Sequence, residues 1–316
     1  MAAEKTGKRA LVTGGCGFIG SHLCDELLRR DYQVVCVDNL VTGDRANVEG
    51  ALEYPGFSLE EKDVTDPLDY EVDHIFHLAS PASPVDYGNM PIKTMLANAI
   101  GTMNCLELAR RLDARVLLSS TSEVYGDPQV SPQAEDYFGH VNPVGPRSCY
   151  DESKRFAEAL CKAYEREHGI DVVIVRIFNT YGPRMRKDDG RVIPNFVCQA
   201  LAGEPLTVYG DGDQTRSFCH VSDMVRGLVL AVLTPAAGGE IVNLGNPNEM
   251  RVIDLANFVR QKVGSSSPME FKELPRDDPH MRRPEISKAM RLLGWAPEVD
   301  LEAGLDDVIK WFRERG

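Results

Sequence analysis

Short apolar runs alternate with helical stretches through the first two thirds of the chain. The runs at 9–13 (RALVT), 33–37 (QVVCV), 73–78 (DHIFHL), 115–119 (RVLLS), 172–177 (VVIVRI) and 240–244 (EIVNL) read as buried strands. Helical patterning covers 18–30, 92–112 and 150–168. Strands alternating with helices imply βαβ units and a parallel sheet, whose ligands bind beyond the carboxyl ends of the strands. After residue 181 the pattern changes: Gly and Pro interrupt more often (YGPR, GEP, GDGDQ, NPN), and the C-terminal stretch carries helical segments without regular strand alternation.

The strand ends carry the first chemistry. Residues 10–22, ALVTGGCGFIGSH, run from a strand through Gly14, Gly17 and Gly20 into a helix. Glycines at this spacing allow a tight turn and close backbone approach to a pyrophosphate, while the helix N-terminus offers free N–H groups to its oxygens. The second strand ends in Asp38, where a carboxylate accepts hydrogen bonds from adenosine ribose hydroxyls and repels a 2′-phosphate. NAD is therefore expected rather than NADP, with Arg45 the one nearby basic residue arguing otherwise. The expected fold is α/β: a Rossmann-type doubly wound parallel sheet with a smaller C-terminal substrate-binding domain. The boundaries fall at 1–183, with 218–247 returning to that unit, and at 184–217 with 248–316.

Two further patterns point to catalysis. In RVLLSSTSEVYGDP (115–128) a strand empties into the hydroxyls of Ser119, Ser120, Thr121 and Ser122 and the carboxylate of Glu123. In SCYDESKR, Tyr150 and Lys154 are four apart on a helix and share a face. A lysine ammonium beside a phenol stabilises the phenolate and makes tyrosine a usable base. His77, inside a strand, reads as a core histidine and not as a catalyst.

Composition narrows the classes of partner. With 316 residues, 43% hydrophobic and 26% charged, the chain can bury a sizeable core. A net charge of -13 argues against nucleic acid, while local arginines still permit an anionic small molecule. The eight cysteines form no CxxC pair, the seven histidines show no metal-ligand spacing, and no metal site is expected. MAAEKTGKR lacks a signal-peptide core and no run approaches a membrane span, so the expected protein is cytoplasmic, with no membrane partner.

Together, TGGCGFIGSH, Asp38, the hydroxyls at 119–122 and Tyr150-x-x-x-Lys154 resemble the extended short-chain dehydrogenase/reductases that modify nucleotide sugars. The likeness continues through FNTYGPR (178–184), VIPNF (192–196), VYGDGDQTRSF (208–218) and RRPEISKAMRLLGW (282–295). More narrowly, HLASPASP (77–84), STSEVYGDP, GHVNPVGPRSCYDESKR and DDGRVIPNF resemble the UDP-glucuronate decarboxylases, also called UDP-xylose synthases.

The resemblance implies a cycle: C4 oxidation of a UDP-sugar, loss of carbon dioxide from a 4-keto uronate, and re-reduction by the same cofactor. It implies that Tyr150 is the base, Thr121 the holder of the 4-oxygen, and Lys154 the partner of the nicotinamide ribose. Ser122, Glu123 and a tail arginine, Arg282 or Arg283, would face C5 and C6. Glu123 acts there either electrostatically or in proton transfer, and the related dehydratases carry an acid where Ser122 stands. Phe18, Ile19, Asn39, Asp63, Val64, Leu78, Ala79, Ser80, Asn98, Ser119 and Thr180 would complete the NAD site. Ser83, Pro84, Asn179, Arg191, Asn195, Tyr209, Gln214 and Arg216 would hold the nucleotide sugar. For Arg184, Arg186 and Lys187 a solvated loop of mixed charge is the plainer reading. A homodimer through helices 92–112 and 150–168 is expected on the same resemblance. The alternatives are a UDP-glucuronate or UDP-hexose 4-epimerase, a decarboxylase that releases the 4-keto pentose, and a non-catalytic NAD(H) sensor.

Overall fold

The computed structural model describes residues 7–274 and 281–315. In chain order, the first half comprises β1 (Arg9–Thr13), α1 (Phe18–Arg29), β2 (Gln33–Asp38), β3 (Phe57–Glu61), β4 (His74–His77), α2 (Pro84–Asn89), α3 (Pro91–Leu96), α4 (Thr102–Leu112), β5 (Arg115–Thr121) and α5 (Ser148–His168). Then come β6 (Val172–Ile177), β7 (Thr180–Tyr181), α6 (Val192–Ala202), β8 (Leu206–Tyr209), β9 (Thr215–Ser217), β10 (Cys219–His220), α7 (Val221–Leu233) and β11 (Ile241–Leu244). The remainder is β12 (Glu249–Arg251), α8 (Val252–Val263), β13 (Met269–Lys272), α9 (Ser287–Leu293) and α10 (Leu301–Glu314).

The main sheet runs β11-β6-β5-β4-β1-β2-β3, and every pairing in it is parallel. From β1 the chain winds outward to β3, then crosses back to β4 and winds the other way. That reversal between β1 and β4 opens a cleft at their carboxyl ends, which is where such sheets bind ligands. On one face α1, α7 and α9 bury Leu23, Leu27, Leu228, Leu293 and Trp295; on the other α4 and α5 bury Cys105, Leu106, Ala157 and Cys161. A third apolar cluster joins α6, α8 and α10 through Phe196, Leu255, Leu305 and Phe312. The segment from Ile286 to Trp295 packs into the first of these cores, beside the main sheet.

Three local departures from the sequence pattern have physical causes. β3 is an edge strand whose FSLEE side chains are exposed or only half-buried, so no apolar run announces it. The helical stretch expected over 92–112 is divided into α3, a π-helical turn over Ala97–Gly101, and α4. Asn98 and Gly101 are buried in that turn. β5 continues past the apolar run to Thr121, because Ser119, Ser120 and Thr121 pair with Val175, Arg176 and Ile177. The hydroxyls of Ser119, Ser120 and Thr121 therefore belong to the strand itself, and Ser122 opens the 3-10 turn that follows.

Candidate functional site

A cavity of about 990 Å³ opens over the carboxyl ends of the central strands. The glycine loop follows β1 and forms one wall. Gly14 has φ +73, and a Cβ there would lie 2.7 Å from the Ala79 nitrogen; at Gly20 a Cβ would lie 2.1 Å from the Gly14 carbonyl oxygen. Only glycine permits these approaches. Asp38 ties down the same loop: Oδ2 accepts from the Cys16 N–H and Oδ1 from the Leu40 N–H, each at 2.9 Å. Burial raises its carboxyl above the ordinary range, opposed by those two amides. Its remaining lone pairs suit ribose hydroxyls.

The other residues expected at the cofactor fall as follows. Phe18, Ile19, Asn39, Val64, Leu78, Ala79, Ser80, Ser119 and Thr180 line the cavity beside the glycines. Asp63 lines it too and accepts from Asn39 Nδ2 at 2.8 Å and from Thr65. Asn98 stands behind the wall: it is buried and donates to Ser153 Oγ at 2.9 Å, within the helix that carries Tyr150 and Lys154. These residues and the glycine cradle fit a dinucleotide.

Tyr150 and Lys154 project from the first turns of α5. Lys154 Nζ donates to the Ser119 carbonyl at 2.8 Å and lies 5.9 Å from the Tyr150 ring centre. Burial pulls the ammonium down to about 8, against the opposing charge of Glu158. Burial likewise pushes the Tyr150 phenol up to about 12, despite a hydrogen bond with Thr121 and the charge of Arg191. In the protein alone burial thus outweighs neighbouring cations, and the phenol holds its proton. Tyr87 stacks on Tyr150 with ring centres 5.1 Å apart and planes within 9°. Ser120 turns away to Glu158, which pairs with Arg176. His77 is a core residue: Thr13 Oγ1 and Thr102 Oγ1 occupy its two nitrogens at 2.8 and 3.1 Å.

Glu123 is gripped by two arginines. Arg282 Nη1 donates to Ser122 Oγ at 2.8 Å and to Glu123 Oε1 at 2.9 Å, while its Nη2 reaches Glu123 Oε2 at 3.3 Å and the Gly126 carbonyl at 3.1 Å. Arg147 Nη2 donates to Glu123 Oε2 at 2.5 Å. Burial alone would raise this carboxyl, but the two guanidinium charges hold it well below the usual carboxylate range. Asp151, next to Tyr150, moves the opposite way, because it is buried and faces the charge of Glu123.

Position 282 is settled by backbone bonds. Ser217 Oγ donates to the Arg282 carbonyl, and Gln133 exchanges hydrogen bonds with residues 283 and 285 just after it. Arg282 is thereby turned inward with 1% exposure, whereas the Arg283 side chain is 43% exposed and lies 3.8 Å from Glu249.

The expected substrate residues line the far end of the cavity: Ser83, Pro84, Asn179, Arg191, Asn195, Tyr209, Gln214 and Arg216. Asn179 Nδ2 is buried with no partner among the described residues, a donor suited to a phosphoryl oxygen. Ser83 caps α2, accepting from the Asp86 N–H at 3.1 Å. Gln214 donates to the Tyr209 carbonyl at 2.8 Å and Asn195 to the Gly190 carbonyl at 3.1 Å, so both loops are braced from within. Among the described residues, no group of three or more His, Cys, Asp or Glu side chains is placed to hold a metal ion.

Sequence reasoning missed Arg147 and Tyr87. Arg147 stands one helical turn before Tyr150, and that spacing is the signal which could have found it. Tyr87 carries no such signal, since its stacking on Tyr150 arises only in three dimensions.

UDP-glucuronic acid decarboxylase 1 of Xenopus tropicalis is 54% identical over 99% of this chain and 74% of its own length. UDP-glucuronic acid decarboxylase 6 of Arabidopsis thaliana is 53% identical over 97% of this chain and 89% of its own. Among solved structures, the UDP-glucuronic acid 4-epimerase of Bacillus cereus, in complex with UDP-glucuronic acid and NAD, has a TM-score of 0.88 and 30% identity, covering 98% of this chain and all of that one. The NAD dependent epimerase/dehydratase family matches residues 10–245. The match spans most of the chain and the fold is that of its solved neighbours, and the chain belongs to the NAD dependent epimerase/dehydratase family.

Proposed function

We propose that the protein converts UDP-glucuronate to UDP-xylose, and that Tyr150, Lys154, Thr121, Glu123, Ser122 and Arg282 carry the chemistry. The observation that carries this reading is the buried Arg282–Glu123–Arg147 cluster, set in the same cavity as Tyr150 and Lys154. NAD, when bound, accepts the C4 hydride and later returns it. Tyr150 first gives up its resting proton, the Lys154 ammonium nearby favouring the phenolate, then takes the proton of the 4-hydroxyl and returns it, with Thr121 holding that oxygen. Once C4 is a ketone, the C5–C6 bond breaks, its electron pair passes into the C4–C5 enolate, carbon dioxide leaves, and a proton taken up from solvent at C5 turns the enolate into the 4-keto pentose. Arg282 stabilises the charge that develops there. Glu123, held ionised by two guanidiniums, orients Arg282 and is no proton donor in its resting state. Serine at 122 leaves no acid for expelling water, which argues against dehydration.

The test is UDP-glucuronate labelled with carbon-13 at C6. Labelled carbon dioxide with UDP-xylose is expected; label retained in UDP-galacturonate would replace this reading with the 4-epimerase.

Two coarser properties accompany it. Among the described residues no helix is long and apolar enough to cross a membrane. All eight cysteines are free thiols, and all but Cys198 are buried, which supports a reducing, cytoplasmic setting. Ile92, Met95, Met103 and Phe156 expose apolar side chains on α3, α4 and α5, with Ile92 at 72%. We read this face as a homodimer contact. Sedimentation should give twice the 35.0 kDa chain mass, and a monomer at micromolar concentration would refute it. We propose a division of labour in which residues 1–183 and 218–247 chiefly serve the cofactor and 184–217 and 248–316 the nucleotide sugar, with Ser83, Pro84 and Asn179 reaching the sugar from the first unit and residues 286–295 packing back into its core.

A further inference from the structure

The loop between β7 and α6 crosses the cleft as a strap. Its near end is tied to α1: His22 Nε2 lies 3.0 Å from the Pro183 carbonyl oxygen, and Arg184 Nη2 donates to Asp25 Oδ2 at 2.7 Å. Arg186 then reaches both walls, with Nη2 donating to Asp86 Oδ1 at 2.7 Å and Nη1 to the Thr42 carbonyl at 3.4 Å. Thr42 follows β2, and Asp86 lies in α2 after β4; β1 stands between these two strands. A guanidinium that joins Thr42 to Asp86 therefore spans the carboxyl end of β1, where the glycine loop begins. All three residues line the cavity.

The anchors are themselves fixed. Asp86 Oδ2 accepts from Ser83 Oγ at 2.8 Å, so the carboxylate presents its other oxygen to Arg186 in a set direction. Farther along the strap, Gly190 (φ +83) packs so close to α2 that a Cβ would lie 2.6 Å from Val85 Cγ2. The Arg186–Asp86 pair is partly shielded, with side-chain exposures of 30% and 14%.

We propose that Arg186 is a latch that retains the dinucleotide across the catalytic cycle, and so sets whether the reduced sugar or the 4-keto pentose leaves. The inference rests on the decarboxylase reading above. After carbon dioxide departs, the protein holds a 4-keto pentose and the two electrons taken from C4 as NADH. If the dinucleotide stays, hydride returns to C4, a proton reaches O4, and the cycle closes with no net oxidation. If it escapes, ketone and NADH leave as separate products and a fresh NAD must bind.

The experiment compares wild type, Arg186→Ala, Arg186→Lys and Asp86→Asn. Each is desalted and its retained nucleotide assayed, then given UDP-glucuronate and NAD while absorbance at 340 nm and the product ratio by NMR are followed. Arg186→Ala and Asp86→Asn should lose nucleotide up to about fivefold faster, the effect of removing the partly exposed Arg186–Asp86 ion pair that both variants lack. Both should accumulate NADH with the 4-keto pentose, and Arg186→Lys should restore part of the retention. Unchanged retention and an unchanged product ratio in both variants would overturn the latch. Should wild type release no carbon dioxide, the decarboxylase reading fails, while the nucleotide dissociation rates still judge the latch.

Discussion

Tyr150→Phe lowers the rate of carbon dioxide release by about 10²–10⁴-fold, the usual worth of a positioned acid–base group, and leaves NAD bound. The phenyl ring keeps its stack on Tyr87, so folding and the cavity wall survive. What disappears is the oxygen that exchanges a proton with the sugar 4-hydroxyl. Lys154 supplies the pH signature of this step. Its ammonium, lowered to about 8 by burial, loses its proton as pH rises through that value. Turnover should therefore fall on the alkaline side in wild type, as the positive charge beside Tyr150 vanishes. Full decarboxylation by Tyr150→Phe would remove Tyr150 from the mechanism.

Arg282→Ala should cost both stability and activity. The arginine is 1% exposed, and it bonds Ser122, Glu123 and the Gly126 carbonyl. Breaking a buried pair by removing one partner typically costs about 3–5 kcal/mol, and Arg147 remains beside Glu123, so about 3 kcal/mol is expected. Urea unfolding measures this, and turnover should drop at least about 10²-fold with the loss of enolate stabilisation. The same ion cluster sets an acid limit. Glu123 is depressed below its ordinary value of 4.5, so its stabilising contribution is complete above that pH and is lost as pH falls further. An Arg282→Ala protein as stable as wild type would show the cluster to be energetically neutral.

Tyr150 and Lys154 could be read as a pair because residues four apart on a helix share a face, and as a candidate site only together with the glycine loop and the hydroxyl-rich strand end. Asp38 could be read because it ends the second strand of a dinucleotide unit. Glu123 was legible as a site residue but not in its role, since its partners Arg147 and Arg282 lie 24 and 159 residues away. Arg186 looked like any charge in a polar loop, and its significance depends on which walls that loop spans.

What the sequence by itself determined is the alternation of buried runs and amphipathic helices, the glycine cradle, and the chemistry carried on single elements. These follow from local geometry and from periodicities of two and 3.6 residues. Only the tertiary structure decided which arginine of the 282–283 pair turns inward, that Glu123 is held ionised, that β3 closes the sheet edge, and that Arg186 bridges the cleft. Each depends on charges and backbone groups brought together from distant parts of the chain, where burial strengthens electrostatic contacts that no linear pattern encodes.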